Sequence, residues 1–442
     1  MKKKWLVLLP AFALVLSLAG CGEKPLLSPK DPVTLSMWHV YGEQAGSPMD
    51  LLVDEFNETV GQEQGIVINV TNLSGAGKIG AELLAAQSDE PGALEMPDLF
   101  TCHIGDALAL GAENLLDWND CFTADERAGF VDGFLADGTE NGQLLVLPIS
   151  KSTHVLMLNG SQFARFSADT GVTLDRLATW DGFFTAAAKY YDWSDGTPFC
   201  AMDYLLRAVE LNALAHGGTD LYTAEGWYDF DDAALRTSWM EFARALVQGH
   251  IVVSDLYSNT QVMAGEVLGG IGSSAAILYY NNLVTYPDNT TEPMDLQVVP
   301  MPRAADGTAL MTQAGVGLCA HKTDEKKAEA ASVFAHWLTE SQRNLDFVAE
   351  TGYMPVRKDA FDAIGSYDFA EQSYRNLYNA LSIMQESYTP ISEPRFVGYY
   401  ARVNALYGAL REAQVDYPAR LALGESVDAL AEETWELFRS IA

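Results

Sequence analysis

Apolar positions near the start of the chain recur with two alternating periods. Val33, Leu35 and Met37 alternate with polar neighbours and lead into Trp38, the period-two pattern of a strand. Ser47 and Pro48 then open a helix in which Met49, Leu52, Val53 and Phe56 recur at helical spacing. The pattern predicts a second strand over 66–70, a short helix over 81–86 and a third strand over 98–102, after Pro97. Strands alternating with helices argue for a mainly parallel sheet with helices on both faces. Thr123 and Glu126 carry the spacing of a capping box, and residues 144–149 read as a further strand.

A second α/β region follows Pro148: a strand over 153–158, helices near Gln162 and Asp181, and a mixed stretch to about Pro302. Residues 315–320 are strand-like, and Ala331, Phe334, Ala335 and Leu338 make one helix face. The C-terminus is helical. Val403, Leu406, Tyr407 and Leu410 form one stripe; Ser426 caps another that carries Val427, Leu430, Leu437, Phe438 and Ile441. No internal repeat interrupts this order.

The first twenty residues belong to a different pattern. Lys2, Lys3 and Lys4 precede an apolar run from Trp5 to Leu18, shorter than the roughly 20 residues that cross a bilayer. Small residues then lead to Cys21, so residues 1–20 read as a cleaved export signal. Leu18, Ala19, Gly20 and Cys21 resemble a bacterial lipobox, which implies diacylation of Cys21 and a lipid anchor in the cell membrane. Residues 21–32, with Pro25, Pro29 and Pro32, suit an extended spacer between lipid and fold.

Size and charge narrow the function. With 442 residues and 48% apolar content, the chain is long enough for two cores. Its 60 acidic and 27 basic side chains give a net charge of −33, and loss of residues 1–20 removes three lysines, leaving −36. Such a charge repels phosphate backbones, which excludes nucleic acid as a partner. Cys102, Cys121, Cys200 and Cys319 show no disulfide framework and no Cys-x-x-Cys; a Cys102–Cys121 bridge and four unpaired thiols both stay open.

Enzyme signatures do not assemble. Gly75, Gly77 and Gly80 spell Gly-x-Gly-x-x-Gly, but a nicotinamide cofactor outside the cell has no recycling partner, so the dinucleotide reading is rejected. No Walker lysine, His-Glu-x-x-His or Gly-x-Ser-x-Gly occurs. His39, His103 and His154 each fall near a strand end, where a metal site would require them to converge. No cofactor and no metal is expected.

Further segments carry a resemblance over nearly the whole chain. Pro97, Asp98 and Leu99, the stretch 142–159 with Pro148 and Asn159, Gly265 with Glu266, and Gly352 to Phe361 with Pro355, Val356 and Arg357 follow one another in the order of a known family. The chain resembles the extracellular solute-binding proteins of ABC importers, in the carbohydrate-type group that includes maltose and glycerol-3-phosphate binders. The resemblance implies an α/β, two-lobed, periplasmic-binding-protein-like fold, each lobe a mainly parallel sheet flanked by helices, with three crossovers forming a hinge. These fall near 149–153, 311–315 and 351–355. Lobe 1 is expected over 33–149 plus 313–350, and lobe 2 over 153–310 plus 355–442. It also implies a monomer without catalytic residues that binds a small sugar, polyol or glycerol-phosphate-type solute and delivers it to membrane permease subunits.

Sugars present apolar ring faces and many hydroxyls, so aromatic and hydrogen-bonding residues at strand ends are the candidates. They are Trp38, His39, Tyr41, His103, Ser152, Thr153, Tyr204, Ser273, Ser274, Gly315, Arg395, Tyr399 and Tyr400. Trp38 with His39, Phe56 with Asn57, Ser152 with Thr153 and Ser273 with Ser274 resemble pairs of the glycerol-3-phosphate binders, and Arg395 resembles their phosphate-holding arginine. Against that ligand, Tyr204 stands alone where those binders carry two tryptophans. An exported carbohydrate-active hydrolase and a surface sensor lipoprotein are the alternatives.

Overall fold

The computed structural model describes residues 25–41, 47–73, 76–223, 226–396 and 398–441; the leader, Cys21 and Gly75 lie outside the described residues. Two sheets organise the chain. The first has the order Gly317–Ala320, Leu99–Cys102, Val33–His39, Ile66–Asn72. Val33–His39 pairs in parallel with both of its neighbours, whereas Gly317–Ala320 runs antiparallel to Leu99–Cys102. The second sheet has the order Leu296–Pro300, His154–Asn159, Gly269–Ser273, Cys200–Met202, Ile251–Val252.

The second sheet is mixed rather than mainly parallel. His154–Asn159 is antiparallel to both neighbours, while Cys200–Met202 is parallel to both of its own. The cause is where the chain enters. His154 follows directly on a segment arriving from the first sheet, so its strand starts at the end where Ser273 finishes. Gly317 likewise starts opposite the end of Leu99–Cys102. In each sheet, the strand that enters from the other body runs against its neighbours.

Strand alternation sets the first core. Val33, Leu35 and Met37 are buried with Met49, Val53 and Phe56 of the helix Pro48–Phe56, for which Ser47 is the cap. Trp38, one position out of phase, faces the opposite side and packs with Ile79, Leu83 and Phe100. The helix carrying Ile79 is longer than expected, Ala76–Gln87, and Gly80 sits within it. A Cβ at Gly80 would lie 2.2 Å from Asp106 Oδ1, so this glycine serves close helix packing. Thr123 and Glu126 close the predicted capping box.

In the second body the helices Ala233–Val247 and Val427–Ser440 pack together, with Trp239 stacked on Phe438 at 4.4 Å and its indole N–H donated to Thr434 Oγ1 at 3.0 Å. Residues 356–364, expected in lobe 2, side with the first body. Val131 N donates to Val356 O, Lys358 N donates to Gly129 O, and the Arg357 guanidinium lies 4.6 Å from the Phe130 ring centre. The next helix, Gln372–Ser387, packs on Leu296–Pro300 in the second body. Cys102 faces Cys319, with sulfurs 3.6 Å apart, while Cys121 lies beside Ser332. Among the described residues no helix is long and apolar enough to cross a membrane.

Candidate functional site

Three connecting segments lie side by side between the sheets. Ser152 and Ala314 exchange two backbone hydrogen bonds of 2.9 Å, and Lys151 and Met354 exchange two more, of 3.3 and 2.6 Å. Gly315, at φ +106°, turns the middle segment into the first sheet; its missing Cβ would lie 3.5 Å from Ser150 O, and a side-chain-bearing residue would be strained there. Few bonds are shared and no rigid sheet forms, so the arrangement suits bending.

A buried ionic cluster stands on this strip. Lys151 Nζ donates to Asp137 Oδ2 at 2.5 Å, and Arg395 lies 3.7 Å from Asp137 Oδ1 and 3.3 Å from Glu140 Oε2. Burial pushes the Asp137 carboxyl up, but the Lys151 charge and hydrogen bonds, with help from Ser392 and Arg395, hold it below the usual range. Arg395 is thereby committed to two acids, and its guanidinium also donates to Asp137 O at 2.9 Å. The expected phosphate-holding arginine is an ion-pair member in this structure. Nearby, the strands Leu310–Gln313 and Thr389–Ser392 pair in parallel, held by buried Arg207, which donates to Thr312 Oγ1, Ile391 O and Ser392 O and pairs with Glu210 at 2.5 Å.

Several sequence candidates are structural. Trp38 is buried on the opposite face of the first sheet, with Ile79, Leu83 and Phe100, and presents no face to the space between the bodies. His39 is buried too: Nδ1 accepts from Tyr41 N, and Nε2 meets Asp50 Oδ1 at 2.8 Å, tying the strand end to the following helix. Tyr41 shares a 2.9 Å hydrogen bond with Ser150 Oγ and packs edge-on to Phe347 and Tyr353. Tyr399 is buried against Tyr228. Ser273 Oγ accepts from Ala275 N, and Ser274 N donates to Thr153 O, so this serine pair fixes a turn.

The remaining candidates gather around the space between the bodies. His103, at the end of Leu99–Cys102, meets Tyr400 of the helix Tyr399–Gln414 with ring centres 6.0 Å apart, one residue from each body. Tyr204 stacks on His154 at 4.0 Å, and burial, with Asp203, Glu393 and Tyr257 nearby, pushes its hydroxyl up and keeps it neutral. Tyr400 Oη donates to Glu393 at 3.0 Å. Tyr257 is 73% exposed and Tyr400 48% exposed, so both are accessible to solvent. Tyr257, Glu393 and Asp203 are absent from the sequence candidates; an aromatic in a polar loop leaves no periodic signal.

Two titratable groups here are strongly shifted. Burial pushes Asp203 up to about 6, although Ser258 donates to it from both N and Oγ. Burial, then the charge of Arg207, holds His154 at about 3, and neither ring nitrogen nor Thr153 Oγ1 has a hydrogen-bond partner among the described residues. His154 is therefore neutral, its ring stacked on Tyr204. Among the described residues no three His, Cys, Asp or Glu side chains are grouped to hold a metal ion, and His39, His103 and His154 have separate partners.

The fold has many solved relatives. The cyclic α-maltosyl-1,6-maltose binding protein of Arthrobacter globiformis superposes with a TM-score of 0.68 at 17% identity, over 93% of this chain and 99% of that one. UgpB of Mycobacterium tuberculosis, solved with glycerophosphocholine, gives 0.65 at 17% identity over 92% and 98%. The sugar-binding protein MalE of Xanthomonas citri gives 0.65 at 16% over 92% and 97%. At these identities the likeness is one of fold, the two-lobed arrangement of periplasmic binding proteins. No curated protein matches the sequence. The family model of the bacterial extracellular solute-binding proteins matches residues 52–372, most of the two-bodied region just described. The chain belongs to the bacterial extracellular solute-binding proteins, which bind their solute outside the cytoplasm and are not enzymes.

Proposed function

We propose that this protein captures a neutral sugar or polyol between its lobes and delivers it to the membrane permease of an ABC importer, while tethered to the cell membrane through acylated Cys21. Lobe 1 takes residues 33–149 and 313–364, and lobe 2 takes 153–310 and 372–441. The observation that carries the reading is the contact of the His103 and Tyr400 rings, one from each body, with Tyr204 and exposed Tyr257 on the second body nearby. Aromatic faces match the apolar faces of a sugar ring; Glu393 and Asp203 offer acceptors for its hydroxyls. A phosphate would meet Asp137 and Glu140 around an arginine already paired, which disfavours the glycerol-phosphate ligand.

Binding only the closed form shifts the open–closed equilibrium by the solute's differential affinity for it, and the permease then receives the loaded form. A thermal-shift screen on protein lacking residues 1–21 tests this. Neutral mono- and oligosaccharides and polyols are expected to raise the melting temperature without being consumed, since a ligand of the native state stabilises by mass action. Stabilisation by phosphorylated ligands alone, abolished by Arg395→Ala, would restore the phosphate reading. Turnover of the stabilising sugar would favour the hydrolase.

A further inference from the structure

The thiols of Cys102 and Cys319 lie 3.6 Å apart, fully buried, on neighbouring antiparallel strands. Cys102 is opposite Gly317 and Cys319 is opposite Phe100, so the two cysteines sit diagonally on one face of the sheet. Both side chains belong to the core that contains Trp38, Ile79 and Val146. The two residues are 217 positions apart in sequence and are joined by the fold alone. A disulfide has an S–S distance of about 2.05 Å, so the sulfurs need to approach by roughly 1.5 Å for the bond to form. The protein works outside the cytoplasm, where disulfides persist.

We propose that Cys102 and Cys319 form a disulfide as the exported chain folds, locking the strand that enters lobe 1 from the hinge to the strand that ends at His103. In the step, the thiolate of one cysteine attacks an external disulfide, of a small molecule or a protein, and expels one of its thiols. The second cysteine's thiolate then displaces the other thiol. Two protein thiols and one external disulfide become one protein disulfide and two external thiols, the electrons passing to the external disulfide. In the finished fold both sulfurs are inaccessible, and burial, with Cys319 beside it, pushes the Cys102 thiol up and keeps it protonated. Exchange therefore precedes closure of the sheet. Cys121, beside Ser332, and Cys200, in the second sheet, have no thiol within reach among the described residues.

The bond would act where the lobe meets the bending strip. Gly317 follows Gly315 by two residues, and His103 follows Cys102 directly. Tying these strands covalently keeps lobe 1 rigid while the hinge moves, and holds the His103 ring at a fixed height over the cleft.

Oxidative refolding of the reduced, denatured full chain in a mixture of oxidised and reduced glutathione tests the assignment. Alkylation in denaturant followed by peptide mass analysis is expected to show a Cys102–Cys319 linked peptide, with Cys121 and Cys200 alkylated. The Cys121→Ala/Cys200→Ala double variant should still form that bridge, and its melting temperature should fall by at least about 3 °C on reduction. Alkylation of both Cys102 and Cys319 in refolded protein of native circular dichroism would overturn the proposal, as would linkage of either one to another cysteine.

Discussion

Removing the Lys151 ammonium from the hinge strip isolates a charge that the fold has buried. Lys151 is 3% exposed and its partner Asp137 8%, with nitrogen and oxygen 2.5 Å apart. Removing one member of a buried pair typically costs 3–5 kcal/mol, because the other is left uncompensated. Here Arg395 remains 3.7 Å from Asp137 Oδ1, so the lower end applies and Lys151→Met should cost about 3 kcal/mol. The double variant Lys151→Met/Asp137→Leu removes both charges and should recover to within about 1 kcal/mol of the parent. Urea unfolding followed by tryptophan fluorescence measures both. The sign of the pH effect is fixed as well. The Asp137 carboxyl is held below its unfolded value, so its stabilisation is present above about pH 4 and is lost as pH falls through the folded value. The gap between parent and single variant should therefore narrow in acid. A single-variant loss under 1 kcal/mol, or a gap that widens below pH 4, would refute the reasoning.

Tyr257→Ala and Tyr400→Ala should each weaken a stabilising sugar about five- to tenfold, the worth of one aromatic face, while the ligand-free melting temperature stays within about 1 °C; calorimetric titration checks this, and unchanged affinity in both would remove the ring cluster from the site. The Asp203 carboxyl is raised to about 6, so its contribution is present below the unfolded value near 4 and lost as pH rises through 6. Asp203→Asn should flatten the stability profile between pH 4 and 7, and an unaltered profile would contradict the assignment. Trp38→Ala should cost about 3–5 kcal/mol as a core deletion yet leave the affinity of folded protein within about twofold; a tenfold loss of affinity would return Trp38 to the cleft.

Local signals were legible in the sequence because their partners are near neighbours. The Thr123–Glu126 box, the Ser47 and Ser426 caps and the face of Ala331, Phe334, Ala335 and Leu338 all depend on spacings of three or four residues. Strand parity even placed Trp38 out of phase with Val33, Leu35 and Met37, but parity does not say whether the face it selects is a cleft or a helix layer. Helix Ala76–Gln87 covers it. His39 shares the parity of Val33, Leu35 and Met37 and is buried, but its tie to Asp50 depends on how the following helix returns over the strand. The Arg395 and Lys151 pairs were hidden because they join segments from 137 to 395 that only the three-segment strip brings together. The reversed strands at His154 and Gly317 follow from the crossing itself, which residue pattern does not encode.

Small-angle X-ray scattering of monodisperse protein tests closure of the two lobes over a solute most directly. At a concentration of sugar that saturates the thermal shift, the radius of gyration should fall while the molecular mass stays constant. An unchanged radius of gyration with the sugar bound would contradict closure.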